Sequence, residues 1–212
     1  MPHVLVLDWD QREIRYVLGQ TIGRGVRVLA MDTLPLPPAG EDAQRVEQAF
    51  AAEIKGLLTR WKAGRPRVLV ALPRSSVELL YLTLPPASAE ELPELVANQA
   101  AQQSPTITED TLLDFLPAPG DPGSPRSVLA AALAEEEQQR IRGRLAAAGL
   151  TPQRLVLRPL GGVSLFRRLI AATEQTCLLI DRVGQDLALN VVAPGRLGFT
   201  RTVRLPEQIS AE

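Results

Sequence analysis

The stretch VLVLDWDQREIRYVLG, residues 4–19, decides how this chain is read. Val4 and Val6 lie in an apolar run that ends on Asp8, and a second run, Ile14 to Gly19, follows after a few polar residues. Short runs of this kind bounded by polar turns read as strands. A strand, an acid, a tight turn and a strand open several phosphate-handling folds. The turn itself, WDQRE at 9–13, contains neither glycine nor lysine. Whether it holds a phosphate has to be judged from the rest of the chain.

Bulk properties exclude several classes. The 212 residues are 45% hydrophobic with a formal net charge of -1, enough for one large domain or two small ones with real cores. That balance gives no reason to expect nucleic acid or an anionic membrane as the main partner. Cys177 is the only cysteine and sits in the apolar run TCLLID, so it reads as a buried thiol. His3 is the only histidine and lies at the start of the chain, which leaves no Cys/His metal site and no ordinary Ser-His pair. No apolar run approaches the roughly 20 residues needed to span a bilayer, and MPHVLVLD lacks the basic start of a signal peptide. The expectation is a cytoplasmic chain.

Outward from the opening stretch, strands are expected at 3–8, 13–19 and about 26–34, with Gly23 and Gly25 at the second turn. LPLPPAGED is a proline-rich loop. Ala43, Val46, Phe50, Ile54, Leu57, Leu58 and Trp61 recur at helical spacing, with Trp61 read as core. RVLVALP at 67–73 is a continuous apolar run, as in a parallel strand covered on both faces. SVELLYLTLP reads as a half-buried strand, and Ser88 to Glu91 as a capping box before a helix to about Gln103. DTLLDFLP and SVLAAALA read as strands. EEEQQRIRGRLAAAG is a helix with acids first and Gly149 at its end. QRLVLRPL closes a β-α-β-β-α-β unit over 75–157. A helix at about 159–173 carries Leu160, Val163, Phe166, Leu169 and Ile170 on one side. TCLLIDRVGQDLALNVV and RLGFTRTVRLP are expected to form a hairpin turning at Ala193-Pro194-Gly195.

Several strings in this order resemble one family: VLVLDWDQREIRYVLG, VALPRSSVELLYLTLPPASAEELPELVANQA, DFLP, AAAGLTPQRLVL, and LLID followed by GRLGFTRTVRLPE. The chain is similar to the type IV pilus assembly protein family PilM and, more loosely, to the cytoplasmic domain of the type II secretion protein GspL. Both sit with FtsA in the actin-like ATPase fold. The resemblance implies an α/β fold of two ribonuclease-H-like halves around a nucleotide cleft, with a small α+β subdomain inserted in the first half. On that pattern residues 1–74 begin the first half-domain and 75–157 are the inserted subdomain. Residues 158–176 are the return helix, and 177–212 start a truncated second half. A domain start of a few strands cannot bury its own face, so the chain is expected to be part of a longer protein.

The family's first phosphate loop resembles D-x-G-x-x-x-x-[KR]. Asp8 takes the acid, Arg15 the basic position, and Asp10 falls where the glycine should be. Glycine lets backbone amides approach phosphate, whereas Asp10 brings a side chain and a like charge. The second loop resembles D-[IL]-G, and here Asp181-Arg182-Val183-Gly184 keeps the acid with the glycine one place late. Both loops therefore read as remnants, formed by Asp8, Asp10, Arg15, Asp181 and Gly184, with ATP and magnesium bound weakly, if at all, by the full-length protein. The alternatives are a functional ATP-binding PilM-like protein and a ribonuclease-H-like nuclease using Asp8, Asp10 and Asp181 on metal ions. Acids that merely end strands and satisfy turn amides are the plain structural reading of Asp8 and Asp181.

The expected function is a non-enzymatic scaffold of a pilus or type II secretion assembly platform. The resemblance implies that it docks the cytoplasmic tail of a bitopic inner-membrane protein, links it to a motor ATPase, and lies peripheral to the inner membrane. SVELLYLTLPP is the expected source of apolar docking contacts. The apolar 177–205 hairpin is expected to support self-association in the chain alone.

Overall fold

A computed structural model describes residues 2–9, 13–23, 25–35, 43–118, 123–170, 175–193 and 196–206. Asp10, the loop at 36–42 and the Pro194-Gly195 turn lie outside the described residues. The chain divides into two units, Met1–Ser75 with Leu145–Glu212, and Ser76–Arg144.

The first unit is built on a five-stranded sheet. Its strands are β1 (His3–Trp9), β2 (Glu13–Ile22), β3 (Gly25–Pro35), β4 (Arg67–Leu72) and, later in the chain, β8 (Pro152–Leu157). The spatial order is β3-β2-β1-β4-β8. β1 and β2 are antiparallel, with Leu5 opposite Leu18, Leu7 opposite Tyr16 and Trp9 opposite Ile14. β4 runs parallel to β1 and brings Val68 and Val70 beside Leu5 and Leu7. These residues alternate along their strands and all face the core, where each is nearly or fully inaccessible. Burying a side chain of this size stabilises by about 1.5–3 kcal/mol. Helix α1 (Ala43–Arg60) buries Phe50, Ile54 and Leu57 along one stripe, and its Glu53 accepts a hydrogen bond from the Tyr16 hydroxyl at 3.4 Å. Trp61, just past the helix end, is 39% exposed and is not the core residue its spacing indicates.

The QRLVLRPL strand differs from expectation. It does not close the inserted unit; as β8 it pairs parallel with β4, Ala71 opposite Val156 and Leu72 opposite Leu157. An apolar central strand such as β4 needs a partner on each edge, and β8 supplies the second. Helix α4 (Arg158–Leu169) follows directly. It buries Pro159 and Val163, but Leu169 and Ile170 are exposed, so only part of the expected apolar side is covered.

The segment from Cys177 is a three-stranded antiparallel meander, not a two-stranded hairpin. β9 (Cys177–Val183) and β10 (Asp186–Ala193) meet at a turn through Gly184 and Gln185, and β11 (Arg196–Arg204) completes the sheet. Gly184 has φ +60°, a conformation that tight hairpin turns require and that glycine adopts without steric cost. One face carries a buried cross-strand pair in which the Thr200 hydroxyl donates to Asn190 Oδ1 at 2.7 Å. On the other face Leu178, Ile180, Phe199 and Val203 are exposed.

The second unit has its own three-stranded sheet, in the order β5 (Glu78–Leu84), β7 (Arg126–Leu133), β6 (Leu112–Pro117). Helix α2 (Leu92–Gln103) lies against β5 and β7, and α3 (Glu135–Ala147) follows β7. The capping box forms before α2: Ser88 N–H donates to Glu91 Oε2 at 2.8 Å and Glu91 N–H to Ser88 Oγ at 3.4 Å. Leu80, Leu82 and Leu84 pack with Leu92, Val96 and Ala100 in this unit's core. The apolar side of SVELLYLTLPP is therefore used internally, and Tyr81 is the large side chain of β5 left exposed.

Candidate functional site

The carboxyl ends of the parallel strands β1, β4 and β8 lie side by side, with Asp8 opposite Ala71 and Ala71 opposite Val156. In open α/β sheets this is the end where ligands bind. Asp8 stands at the end of β1. Arg15 faces it directly across the β1–β2 ladder, with Nε 3.5 Å from Asp8 Oδ2. Arg15 also pairs with Glu13 on its own strand.

A second basic residue completes the cluster. Arg158 is the first residue of α4, fixed where β8 ends and Pro159 begins the helix. Its Nη2 lies 2.6 Å from Asp8 Oδ1 and its Nη1 3.9 Å from Asp186 Oδ2 on β10. The Arg158 side chain is only 12% exposed, and those of Asp8 and Asp186 about a fifth. Arg158 thus ties the end of the five-stranded sheet to the start of β10. Charge-assisted bonds at such burial are stronger than surface pairs.

Next to this pair is a small opening lined by Arg74, Arg158, Asp181, Asp186 and Thr202, among others. Its empty space, counting what is open to solvent, is about 280 Å³. Asp181 reaches this opening because it sits on the same face of the meander as Ala188, its cross-strand neighbour. Among the described residues it forms no ion pair. Gly184 shapes the β9–β10 turn and does not line the opening.

The expected residues are therefore partly united. Asp8 and Arg15 form one pair, and Asp181 stands near Arg158 at the opening. Asp10 is outside the described residues. Sequence reasoning missed Arg158, Asp186 and Arg74. The available signal was an arginine at or just past an apolar strand end in each of two cases, LVLR at 158 and ALPR at 74. Among the described residues no three His, Cys, Asp or Glu side chains converge in a way that could hold a metal ion, and no helix is long and apolar enough to cross a membrane.

No family model matches the chain, and no curated protein does. Solved structures do. The chain is similar to a structure of the PilM-PilN type IV pilus biogenesis complex, with TM-score 0.79 and 25% identity over 95% of this chain and 61% of that one. It is also similar to the cytoplasmic domain of EpsL, an inner-membrane component of the type II secretion system of Vibrio cholerae, with TM-score 0.66 and 15% identity over 95% of this chain and 71% of that one. A Bacteroides thetaiotaomicron protein with an actin-like ATPase fold matches at TM-score 0.50 and 8% identity, over 95% of this chain and 70% of that one. The chain thus spans about three fifths of the PilM-PilN chain it matches. With the mixed five-stranded sheet and the separate small α+β unit, these likenesses give the chain the actin-like ATPase fold and a similarity to PilM and to the cytoplasmic domain of EpsL.

Proposed function

We propose that this chain is part of a non-enzymatic assembly-platform protein of the pilus or type II secretion kind. It docks the cytoplasmic segment of a bitopic inner-membrane partner, lies at the cytoplasmic face of that membrane through the partner, and connects it to the system's motor ATPase. The observation that supports this most is the 0.79 TM-score to a PilM-PilN complex over nearly the whole chain. The docking element we propose is β5, an edge strand of its sheet with Tyr81 47% exposed, since an edge can take up an extended segment by strand addition.

Nucleotide plays no part in this reading. Magnesium bound to a nucleotide needs carboxylate oxygens that are open to its water shell. Both Asp8 oxygens are engaged by guanidinium groups, Oδ1 by Arg158 and Oδ2 by Arg15. Asp10 and Val183 stand where the family's loops carry glycine. These engagements and substitutions count against magnesium-ATP at this site. A metal-dependent nuclease has less support still, because its carboxylates would need to converge.

The test has two arms on the full gene product. Calorimetric titration with a peptide of the cytoplasmic tail of a candidate bitopic inner-membrane partner should give saturable binding, weakened by Tyr81→Ala. Phosphate release from ATP should stay at the buffer rate. Turnover that is abolished by Asp8→Ala and Asp181→Ala would establish the ATP-binding alternative instead. The outer apolar face of β9–β11 is where we place the cover supplied by further chain, or by another copy when this chain is alone; Ile180→Asp should then reduce its association.

A further inference from the structure

We propose that β3 is a self-association edge, along which two copies of this chain pair antiparallel about a two-fold axis. β3 spans Gly25–Pro35 and among the described residues pairs only with β2. Among the described residues no other strand hydrogen-bonds to its other row of backbone amides and carbonyls. Natural edge strands are commonly short or guarded by charge, proline or an outward twist. β3 is long, carries no charge between Arg27 and Asp32, and exposes Val26, Val28 and Met31 at 58%, 55% and 73%.

The occupant follows from the register. β3 contains one extra residue relative to β2: Gly19 faces Val28 while Leu18 faces Ala30, so Leu29 is bulged. A two-fold axis perpendicular to a sheet keeps every side chain on its own face, so residues that oppose each other across it must share a face. In a regular strand that permits only residue numbers with an even sum. The bulge changes this. Arg27 opposes Gln20 and Asp32 opposes Tyr16, which puts both on one face of the sheet; Val26, Val28, Met31 and Thr33 oppose Thr21, Gly19, Val17 and Arg15, which puts them on the other. Pairs whose numbers sum to 59 then share a face on both sides of the bulge. In that register Arg27 of each copy opposes Asp32 of the other, twice by symmetry, and Val28 opposes Met31. Arg27 and Asp32 are exposed, and neither has an oppositely charged partner among the described residues. Directly opposed residues in antiparallel strands bring their Cβ atoms about 4.5–5.5 Å apart, close enough for such pairs to act. An unrelated extended segment would have to match this charge order by chance, whereas a second copy carries it already.

Charge reversal tests the pairing in the whole chain. Sedimentation equilibrium of the Ile180→Asp chain, in which association through the β9–β11 face is blocked, should show a monomer–dimer equilibrium, and the charge reversals are made in that background. Arg27→Asp alone, or Asp32→Arg alone, turns both charge pairs into like-charge pairs and should raise the dissociation constant by about tenfold or more. The double variant Arg27→Asp with Asp32→Arg recreates both pairs with exchanged partners and should restore the dimer. Both positions are exposed on an edge, and unchanged circular dichroism will show that the variants fold. A monomer at all concentrations overturns the proposal. So does a dimer that ignores the single reversals, or a double variant that remains as weak as the singles.

Discussion

Replacing Arg158 by methionine keeps most of the side chain's apolar stem and removes its charge. The guanidinium sits 2.6 Å from Asp8 and 3.9 Å from Asp186 with little solvent access. At an effective dielectric near 20, two unit charges about 4 Å apart attract by about 4 kcal/mol. Much of that is offset by the cost of taking the ions out of water. Asp8 is not orphaned in the variant, because Arg15 remains 3.5 Å away. The net loss should therefore fall between the ~0–1 kcal/mol of a surface pair and the ~3–5 kcal/mol of breaking a buried one, at about 2 kcal/mol. For a chain of this length that lowers the midpoint of thermal unfolding by about 4–8 °C. Asp186→Asn, which removes only the longer contact, should cost less than about 1 kcal/mol. The assay is thermal unfolding followed by circular dichroism, with the double variant Asp8→Asn and Arg158→Met completing a thermodynamic cycle. A coupling near zero, or a variant as stable as the parent, would show that Arg158 does not tie the sheets together.

Gly184→Ala forces a side chain into a turn with φ +60° and should destabilise the β9–β10 hairpin by about 1 kcal/mol, read as faster amide exchange in those strands. Tyr16 has its pKa raised above the ordinary 10.0, first by burial and then by the Glu53 carboxylate. The folded state thus holds that proton more tightly than the unfolded chain. The resulting stability is present in full below pH 10 and is lost as pH rises through the folded value. Stability of the parent protein should accordingly fall more between pH 9 and 11 than that of Tyr16→Phe, and equal slopes in chemical denaturation series would refute this.

The opening strands were legible because their alternation is clean: Leu5, Leu7, Ile14, Tyr16 and Leu18 all face one core. The parallel partner β4 was legible from its unbroken apolar run, and the Ser88–Glu91 box from its spacing. Three features were hidden for physical reasons. The β9–β10 turn lies inside the run LLIDRVGQDLALNVV, where one glycine is the only mark of a reversal. β8 follows the small unit's last helix in sequence, and only the open edge of β4 draws it into the other sheet. The site's central contact joins residues 150 positions apart; no local pattern records it. Asp8 and Arg15 could be found because the register of one hairpin makes them neighbours. Arg158 becomes a neighbour of Asp8, and Asp186 of Arg158, only once β8 and β10 are in place.

The most direct test of the central claim is the affinity of the full gene product for the membrane partner's cytoplasmic peptide, titrated with and without magnesium-ATP. A scaffold with a degenerate nucleotide site predicts the same dissociation constant in both conditions and no heat from ATP added alone. An affinity that changes tenfold or more with ATP, and no longer does so in Asp8→Ala, would contradict it.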